Sequence, residues 1–352
     1  MSAIESDTPP TAADDVVSPP LLDVRDLVVR YPVRRGLVGA VRGRPRRAVR
    51  AVEGVSFSIR KGEMLALVGE SGCGKTTTAQ AVLRLVDPLS GSIAVNGRDV
   101  THLSHRQLRP VRRSVQMIYQ DPYESLDPRL RVRQAIEEPM LIHGVGGGRS
   151  ERHRRIADAL ARVDLTPPEI YAERYPHELS GGQRQRVAIA AGLVLDPELL
   201  VADEPVSMLD VSVRAGVLRL LDGLRRTDDL GVVMITHDLS TAARFADRIA
   251  VMYLGRIVEE GRAQDVVRDP RHPYTRALLS VVPKRDPRER STPQILGGEP
   301  PNPTDVPPGC RFHPRCPVAL DRCRTVDPAL MPAGGDGHRA ACVLVESDSR
   351  PA

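Results

Sequence analysis

A glycine-rich segment at residues 69–76 is the first candidate for chemistry in this sequence. It reads Gly69-Glu70-Ser71-Gly72-Cys73-Gly74-Lys75-Thr76 and matches the P-loop pattern G-x-x-x-x-G-K-[ST]. In a P-loop the glycines let backbone N–H groups converge on phosphates, the lysine reaches the β and γ oxygens, and the final hydroxyl binds Mg²⁺. We therefore expect Lys75 to contact phosphate and Thr76 to bind Mg²⁺, while Cys73 is a small filler of the loop.

Two adjacent carboxylates supply a second candidate. Asp203 and Glu204 follow the apolar run at residues 199–202, as in a Walker B strand. Asp203 can hold Mg²⁺ directly or through water, and Glu204 can polarise an attacking water. Two carboxylates with separate tasks favour hydrolysis over transfer to a second substrate. GTPases are excluded, because a guanine-specific N-K-x-D motif needs an asparagine before a lysine, and no lysine of this chain has one.

A third segment, Ser180-Gly181-Gly182-Gln183, directly precedes a predicted helix at residues 184–195. Its hydroxyl and amides would form a second anion site at the helix N-terminus. This segment resembles the signature motif of ABC-type ATPases. Other motifs of that family occur in order: Gln120 resembles the Q-loop, the segment 207–210 resembles the D-loop, and His237 resembles the switch histidine of the H-loop.

The resemblance covers about residues 21–283 and implies a head-to-tail dimer, in which ATP lies between the P-loop of one subunit and the signature of the other. It implies that Glu204, His237 and Lys75 are catalytic. The predicted ATP contacts are Tyr31, Gly69, Glu70, Ser71, Gly72, Cys73, Gly74, Lys75, Thr76, Thr77, Gln120 and Asp203. The predicted contacts to the partner's ATP are Ser180, Gly181, Gly182, Gln183 and Asp210. The predicted Mg²⁺ ligands are Thr76, Gln120 and Asp203. Tyr31 would stack on adenine, or would simply pack on its own sheet.

The C-terminal region resembles the extension of oligopeptide/dipeptide importer ATPases, most closely their second ATPase subunit. The similar segments are His272-Pro273-Tyr274-Thr275, Gly297-Gly298-Glu299-Pro300-Pro301 and the stretch from Gly309 to Pro317. Four cysteines follow the pattern C-x5-C-x6-C-x18-C: Cys310, Cys316, Cys323 and Cys342. This irregular spacing favours a loop-wrapped iron–sulfur cluster over a structural zinc, which prefers C-x2-C pairs. The resemblance implies a [4Fe–4S] cluster; zinc or unligated thiols are the alternatives.

The elements that must position these residues alternate between strands and helices. Strands are predicted at 21–31, 55–59, 64–68, 199–202, 232–236 and 249–258, and helices at 75–86, 211–226 and after Asp238. This alternation predicts an α/β fold with a mostly parallel sheet. As a P-loop NTPase of the ABC type, it would add an N-terminal antiparallel β part. The predicted domains are a flexible tail at 1–20, a nucleotide-binding domain at 21–268 with a helical subdomain at about 123–195, and a loop-rich extension at 269–352.

Composition and charge limit where in the cell the protein is expected to be. The chain has 352 residues, is 41% hydrophobic and 27% charged, and carries a net charge of +5. No apolar run is long enough to span a membrane, and the N-terminus lacks the features of a signal peptide, so a soluble cytoplasmic protein is expected. The basicity is local, because eight arginines and no acid lie between Arg30 and Arg50. That patch would face anionic lipid or permease loops, or would be a solvated loop.

Taken together, the resemblance implies an ATPase subunit at the cytoplasmic face of the cell membrane that powers import of di- or oligopeptides. Its expected partners are a second ABC ATPase subunit (a sister protein or another copy), two integral-membrane permeases and an extracytoplasmic solute-binding protein, and no nucleic acid. The alternatives are an importer of nickel chelates or sugars, and an ABC ATPase of DNA repair or chromosome maintenance. The interval between Lys75 and Ser180 has no cysteine and no sustained heptads, which argues against the long insertions of the repair class.

Overall fold

The computed structural model describes residues 19–33, 47–282, 296–335 and 337–348. Its strands form a four-stranded sheet in the order β2-β1-β4-β5 and an eight-stranded sheet in the order β11-β12-β10-β9-β3-β8-β7-β6. The strands are β1 (Leu22–Pro32), β2 (Ala48–Ile59), β3 (Met64–Val68), β4 (Ser90–Val95), β5 (Arg98–Asp99), β6 (Val115–Ile118), β7 (Leu199–Asp203), β8 (Gly231–Thr236), β9 (Arg248–Tyr253), β10 (Arg256–Arg262), β11 (Met331–Pro332) and β12 (Arg339–Ala340). The four-stranded sheet is antiparallel, which confirms the antiparallel β part implied by the resemblance.

The helices pack mainly on one side of the large sheet. They span Lys75–Val82, His105–Ser114, Pro122–Ser125, Val132–His143, Arg149–Arg162, Pro168–Ala172, Gly181–Leu193, Val211–Thr227, Leu239–Phe245, Ala263–Arg268, Pro273–Ser280 and Val343–Asp348. Helices occupy much of the stretch from 122 to 193, as the sequence predicts. A separate subdomain at about 123–195 stays a prediction.

The central strands are buried on both faces because a different layer covers each face. Ala66 and Val68 of β3 belong to a core shared with the helices, whereas Leu65 and Leu67 belong to a core shared with the four-stranded sheet. Side chains of a strand alternate between faces, so a strand covered on both sides must be apolar throughout. This explains why β3, β7 and β8 are continuous hydrophobic runs.

The parallel strands bring the predicted catalytic motifs to one edge of the sheet. β9, β3, β8, β7 and β6 run parallel to one another in that order. The P-loop follows β3, Glu204 follows β7, His237 follows β8, and Gln120 lies just after β6. Since parallel strands end at the same edge, residues far apart in sequence meet there.

Three predicted elements differ from the structure. The single strand expected at 249–258 is wrong: β9 and β10 form an antiparallel hairpin, and the chain turns at Leu254 and Gly255, whose φ angles are 42° and 79°. Leu254 is buried, so the hydrophobic run continues through the turn and hides it. The helix predicted at 75–86 ends at Val82, and Arg84 then takes φ 53°. The extension predicted as loops from 269 onward begins with the helix Pro273–Ser280.

The C-terminal extension adds strands to the large sheet. β12 pairs with β10, with Glu259 opposite Ala340 and Glu260 opposite Arg339. The extension is therefore hydrogen-bonded to the nucleotide-binding part along the sheet edge. No helix among the described residues is long and apolar enough to cross a membrane. Residues 1–18 of the predicted tail and five arginines of the Arg30–Arg50 patch, at positions within 34–46, lie outside the described residues.

Candidate functional site

The P-loop packs closely against neighbouring backbone, and at two positions only glycine leaves enough room. A Cβ atom at Gly69 would lie 2.3 Å from the carbonyl oxygen of Met252, and one at Gly74 would lie 2.2 Å from that of Ala51. Gly74 also takes φ 109°, a conformation that favours glycine. Any larger residue at these positions would push the loop off its supports. The glycines predicted from the motif are thus needed for the shape of the loop.

Lys75 is buried at the start of the helix that follows the loop, and only 5% of it is exposed. Its Nζ donates to the carbonyl oxygens of Gly69, at 2.7 Å, and Glu70, at 3.0 Å. It also lies 3.8 Å from the Cys73 sulfur, which is buried in the loop. The ammonium group is therefore held by the loop itself, in position to meet a phosphate bound within it.

Thr76 and Asp203 are the pair best suited to a divalent cation. The Thr76 Oγ1 donates to Asp203 Oδ1 at 3.3 Å. Burial at the end of β7 raises the pKa of Asp203, and the neighbouring Glu204 carboxylate adds to the rise, while Thr76 and Lys75 act in the opposite direction. A cation beside it would favour the ionised form. The hydroxyl and carboxylate oxygens are the ligands that Mg²⁺ prefers, so these residues fit the ion.

Glu204, Gln120 and His237 meet at the open side of the loop. Gln120 Nε2 donates to Glu204 Oε2 at 3.2 Å, and His237 Nδ1 lies 3.4 Å from the same oxygen. Glu204 takes φ 44°, and its N–H donates to the carbonyl of Ile235 on β8. A residue other than glycine adopts that conformation only where its surroundings hold it. The structure therefore brings together three side chains that the sequence assigns to catalysis or Mg²⁺ binding.

A cavity of about 730 Å³ is lined by P-loop residues together with Gln120, Glu204 and His237. Tyr31 lies at its rim, half-exposed, on the edge where β1 pairs with β2. Three lining residues were not predicted from the sequence, because none of them belongs to a motif: Val49, Ala51 and Pro303. The lining residues are Tyr31, Val49, Ala51, Ser71, Gly72, Gly74, Lys75, Thr76, Thr77, Gln120, Glu204, His237 and Pro303. Pro303 comes from the C-terminal extension, where its carbonyl accepts from the N–H of Arg50 at 3.0 Å.

The signature residues lie apart from this cavity. Ser180 caps the helix Gly181–Leu193: its Oγ accepts from the N–H of Gln183 at 3.3 Å, and its own N–H donates to Gln183 Oε1 at 3.0 Å. A Cβ at Gly182 would lie 2.4 Å from Val213, just beyond Asp210. Among the described residues, none of the signature positions lines the cavity around Lys75. Their predicted contact with a second subunit's ATP stays a prediction.

The extension touches the P-loop at a point that the motifs do not reveal. Arg315 Nη1 and Nη2 donate to Glu70 Oε2 and Oε1, at 2.8 and 3.1 Å. The Tyr274 hydroxyl accepts from the N–H of Glu70 at 2.9 Å. The buried ring of Phe312 packs on Tyr274, with 5.4 Å between ring centroids. Arg315 and Tyr274 stand in segments that resemble the importer extension, but Glu70 occupies a variable position of its motif, so nothing in the sequence pairs them.

The four clustered cysteines are free thiols. Burial raises the pKa of Cys310 to about 11, and the neighbouring thiols of Cys323, Cys342 and Cys316 contribute to the rise. The chain thus brings the four side chains into one region. Within residues 19–33, 47–282, 296–335 and 337–348, however, no three His, Cys, Asp or Glu side chains are arranged to hold a metal ion. The thiols are near one another but do not form a ligand set in this conformation.

Comparisons with known proteins agree with this geometry. The family described as "ABC transporter" matches residues 52–207, and the family "Oligopeptide/dipeptide transporter, C-terminal region" matches residues 258–323. The oligopeptide transport ATP-binding protein AppF of Bacillus subtilis is 45% identical over 92% of this chain and 97% of its own length. The dipeptide transport ATP-binding protein DppF of Escherichia coli is 43% identical over 94% and 96%. A solved dimeric ATP-binding cassette with ADP and phosphate is similar at a TM-score of 0.59 and 27% identity, over 69% of this chain and 99% of that one.

Proposed function

The chain belongs to the ABC transporter family of peptide import ATP-binding proteins, and from that premise we propose that it hydrolyses ATP to power peptide import across a membrane. The observation that carries the ATPase proposal is the position of Lys75, Thr76 and Glu204 around one cavity, with Asp203 bonded to Thr76. The cargo rests on relatives that are named for oligopeptide and dipeptide transport.

In the proposed reaction, each side chain has a separate task. Lys75 binds the β and γ phosphates, and Thr76, Asp203 and Gln120 hold Mg²⁺, which neutralises charge on the phosphates when it is bound. Glu204 accepts the proton of the attacking water. His237 lies within 3.4 Å of Glu204 and orients that carboxylate or the γ-phosphate. Tyr31 stacks on adenine at the rim of the cavity, while the remaining loop positions, from Gly69 to Thr77, surround the phosphates.

We also propose that the active form is a head-to-tail dimer with a sister subunit or a second copy. Ser180, Gly181, Gly182, Gln183 and Asp210 would then complete the ATP site of the partner subunit. The proposal is supported by the position of these residues outside the cavity around Lys75 and by the dimeric state of the solved cassette.

The transport proposal requires partners in the membrane. We propose two permeases, a solute-binding protein on the far side, and a peripheral position for this chain at the cytoplasmic face. The names of the relatives support this arrangement. Import of nickel chelates or sugars is the alternative for the cargo. The alternative in DNA repair or chromosome maintenance is disfavoured by the match to the oligopeptide/dipeptide C-terminal region.

A [4Fe–4S] cluster on Cys310, Cys316, Cys323 and Cys342 is part of the proposal, with zinc and unligated thiols as alternatives. It is supported by the resemblance of the extension and by the proximity of the four thiols. Cluster formation would require the thiols to move, because they do not form a ligand set as described. Iron, sulfide and zinc analysis after anaerobic preparation tests it, and zinc without iron would overturn the cluster.

Reconstitution tests the function itself. The chain is co-expressed with its permeases and sister ATPase, and the complex is placed in proteoliposomes with the solute-binding protein and a radiolabelled dipeptide. We expect uptake that depends on ATP and Mg²⁺. Uptake of a nickel chelate or sugar in place of peptides would change the assigned cargo. Salt-sensitive DNA binding without co-purifying membrane proteins would contradict transport.

A further inference from the structure

We propose that Arg315, in the C-terminal extension, is a positioning residue that holds Glu70 of the P-loop and thereby sets the affinity of the site for ATP. The inference rests on the proposed function, because it requires the P-loop to bind ATP. It goes beyond that function by giving the extension a direct part in nucleotide binding. Arg315 and Glu70 are separated by 245 positions in the chain.

The first support is the geometry of the ion pair. Both terminal nitrogens of Arg315 donate to Glu70, one to each carboxylate oxygen, at 2.8 and 3.1 Å. The guanidinium is 7% exposed and the carboxylate 28%. The hydrogen bonds to Glu70 raise the pKa of Arg315. A bidentate pair with one buried partner fixes both the distance and the orientation of the carboxylate, unlike an exposed surface pair.

The second support is that the backbone of Glu70 is held as well. Its N–H donates to the hydroxyl of Tyr274, which is fully buried. Its carbonyl oxygen accepts from Lys75 Nζ at 3.0 Å. Side chain, N–H and carbonyl are thus each bound, the first two by residues of the C-terminal region. A shift of Arg315 or Tyr274 would therefore move the carbonyl that holds the catalytic lysine.

The third support is charge. Glu70 places a carboxylate in a loop whose purpose is to bind a triphosphate of the same sign. Like charges at close range oppose binding, and a partnered carboxylate opposes it less. Arg315 supplies that partner from outside the loop. Removing Arg315 alone leaves an unpaired negative charge in the P-loop, whereas removing both charges does not.

The test measures the affinity of the full-length chain for ATP with Mg²⁺ by isothermal titration calorimetry. Arg315→Ala is expected to raise the Kd for ATP about tenfold, as for the loss of charged hydrogen bonds. The double variant Glu70→Gln/Arg315→Ala should recover affinity to within about threefold of the wild-type value, since neither charge remains. In the reconstituted complex, Arg315→Ala should raise KM for ATP while kcat changes less than about twofold.

Arg339→Ala is the matched control. It removes another arginine of the extension that is paired to the large sheet, through Glu260, but does not contact the P-loop. We expect a loss of thermal stability with wild-type affinity for ATP. Tyr274→Phe removes only the hydroxyl that accepts from Glu70, and gives a second measurement should Arg315→Ala fail to fold. It should weaken ATP binding about threefold.

Each outcome decides a different point. If the wild-type chain does not bind ATP, the proposed function fails. If it binds ATP and Arg315→Ala binds equally well, only the positioning role fails. Equal losses in Arg315→Ala and the double variant would reduce Arg315 to a structural contact, as would an equal loss in the Arg339→Ala control.

Discussion

The ATP site and the C-terminal extension differ in how their residues come together. In the ATP site, short sequence motifs stand at the ends of parallel strands, and the sheet aligns those ends. In the extension, single residues such as Arg315 and Pro303 reach the same site through loops. In the ATP site, each motif is a short continuous segment, and the parallel strands place all the motifs at the same edge of the sheet. The arrangement in the extension depends on contacts between distant parts of the chain, so it carries regulation or tuning more readily than chemistry.

The largest expected effect tests the strand-end side of this comparison. Glu204→Gln keeps the shape of the side chain but removes the carboxylate that accepts a proton from water. ATP hydrolysis by the complex should fall about 1,000-fold, in the range for loss of a general base. ATP binding should persist, which calorimetry can check. Unchanged ATP turnover would show that a residue other than Glu204 is the general base.

The next effect tests whether the extension is an integral part of the fold. Phe312 is buried and packs on Tyr253 and Tyr274. Phe312→Ala should lower the free energy of unfolding by about 3 kcal/mol, because it leaves a cavity beside Tyr253 and Tyr274. Thermal or denaturant unfolding followed by circular dichroism measures it. A second, separate transition in the wild-type protein would show that the extension unfolds independently.

A pH-dependent loss of stability should also originate in the extension. His272 is fully buried, and burial lowers its pKa to about 4. Its Nδ1 accepts from the N–H of Tyr274, so the folded state holds the neutral ring. The unfolded state binds a proton more readily, so this stability is present above about pH 6.5 and is lost as the pH falls toward 4.

Between pH 7 and pH 5 the cost should be about 2 kcal/mol. Thermal unfolding of the wild-type protein and of His272→Asn across this range isolates the contribution, because the other titrating groups are shared. The variant should lose less stability on acidification. Parallel curves would contradict a neutral His272.

The smallest effect distinguishes the two interpretations of Tyr31. If its ring stacks on adenine, Tyr31→Ala should weaken ATP binding about threefold, while Tyr31→Phe keeps the wild-type affinity. The exposed Leu89→Ala, on another part of the surface, serves as a control. Equal affinity in all three variants would leave Tyr31 as an edge residue that packs on its own sheet.

The sequence predicts where the residues at the strand ends lie, because each motif combines residue types with a neighbouring strand or helix. Lys75, Thr76, Asp203 and Glu204 all lie where their motifs require. Prediction fails where no local signal exists. The turn at Leu254 is hidden by a continuous apolar run. The hairpin of β4 and β5 does carry a local signal, the Asn96-Gly97 turn with φ 49° and 73°, which the sequence prediction did not use.

Contacts of the extension could not be predicted for a different reason. Arg315 and Glu70 form one bidentate pair, but one sequence gives no sign that two residues far apart in the chain touch. Similarly, the spacing of the four cysteines indicates a shared site without fixing whether the thiols adopt ligand geometry. In such loop-rich regions, position follows from packing on the rest of the molecule, which becomes visible only in three dimensions.

The pairing of β12 with β10 has a consequence for the order of synthesis. β12 is the last strand among the described residues, and it pairs with the outer edge of β10 at Glu259 and Glu260. While the ribosome is still making the extension, the backbone groups of β10 face outward without a strand beside them. An open strand edge is a template for unwanted pairing between nascent chains. By pairing with Glu259 and Glu260, β12 removes part of that open edge from the folded protein.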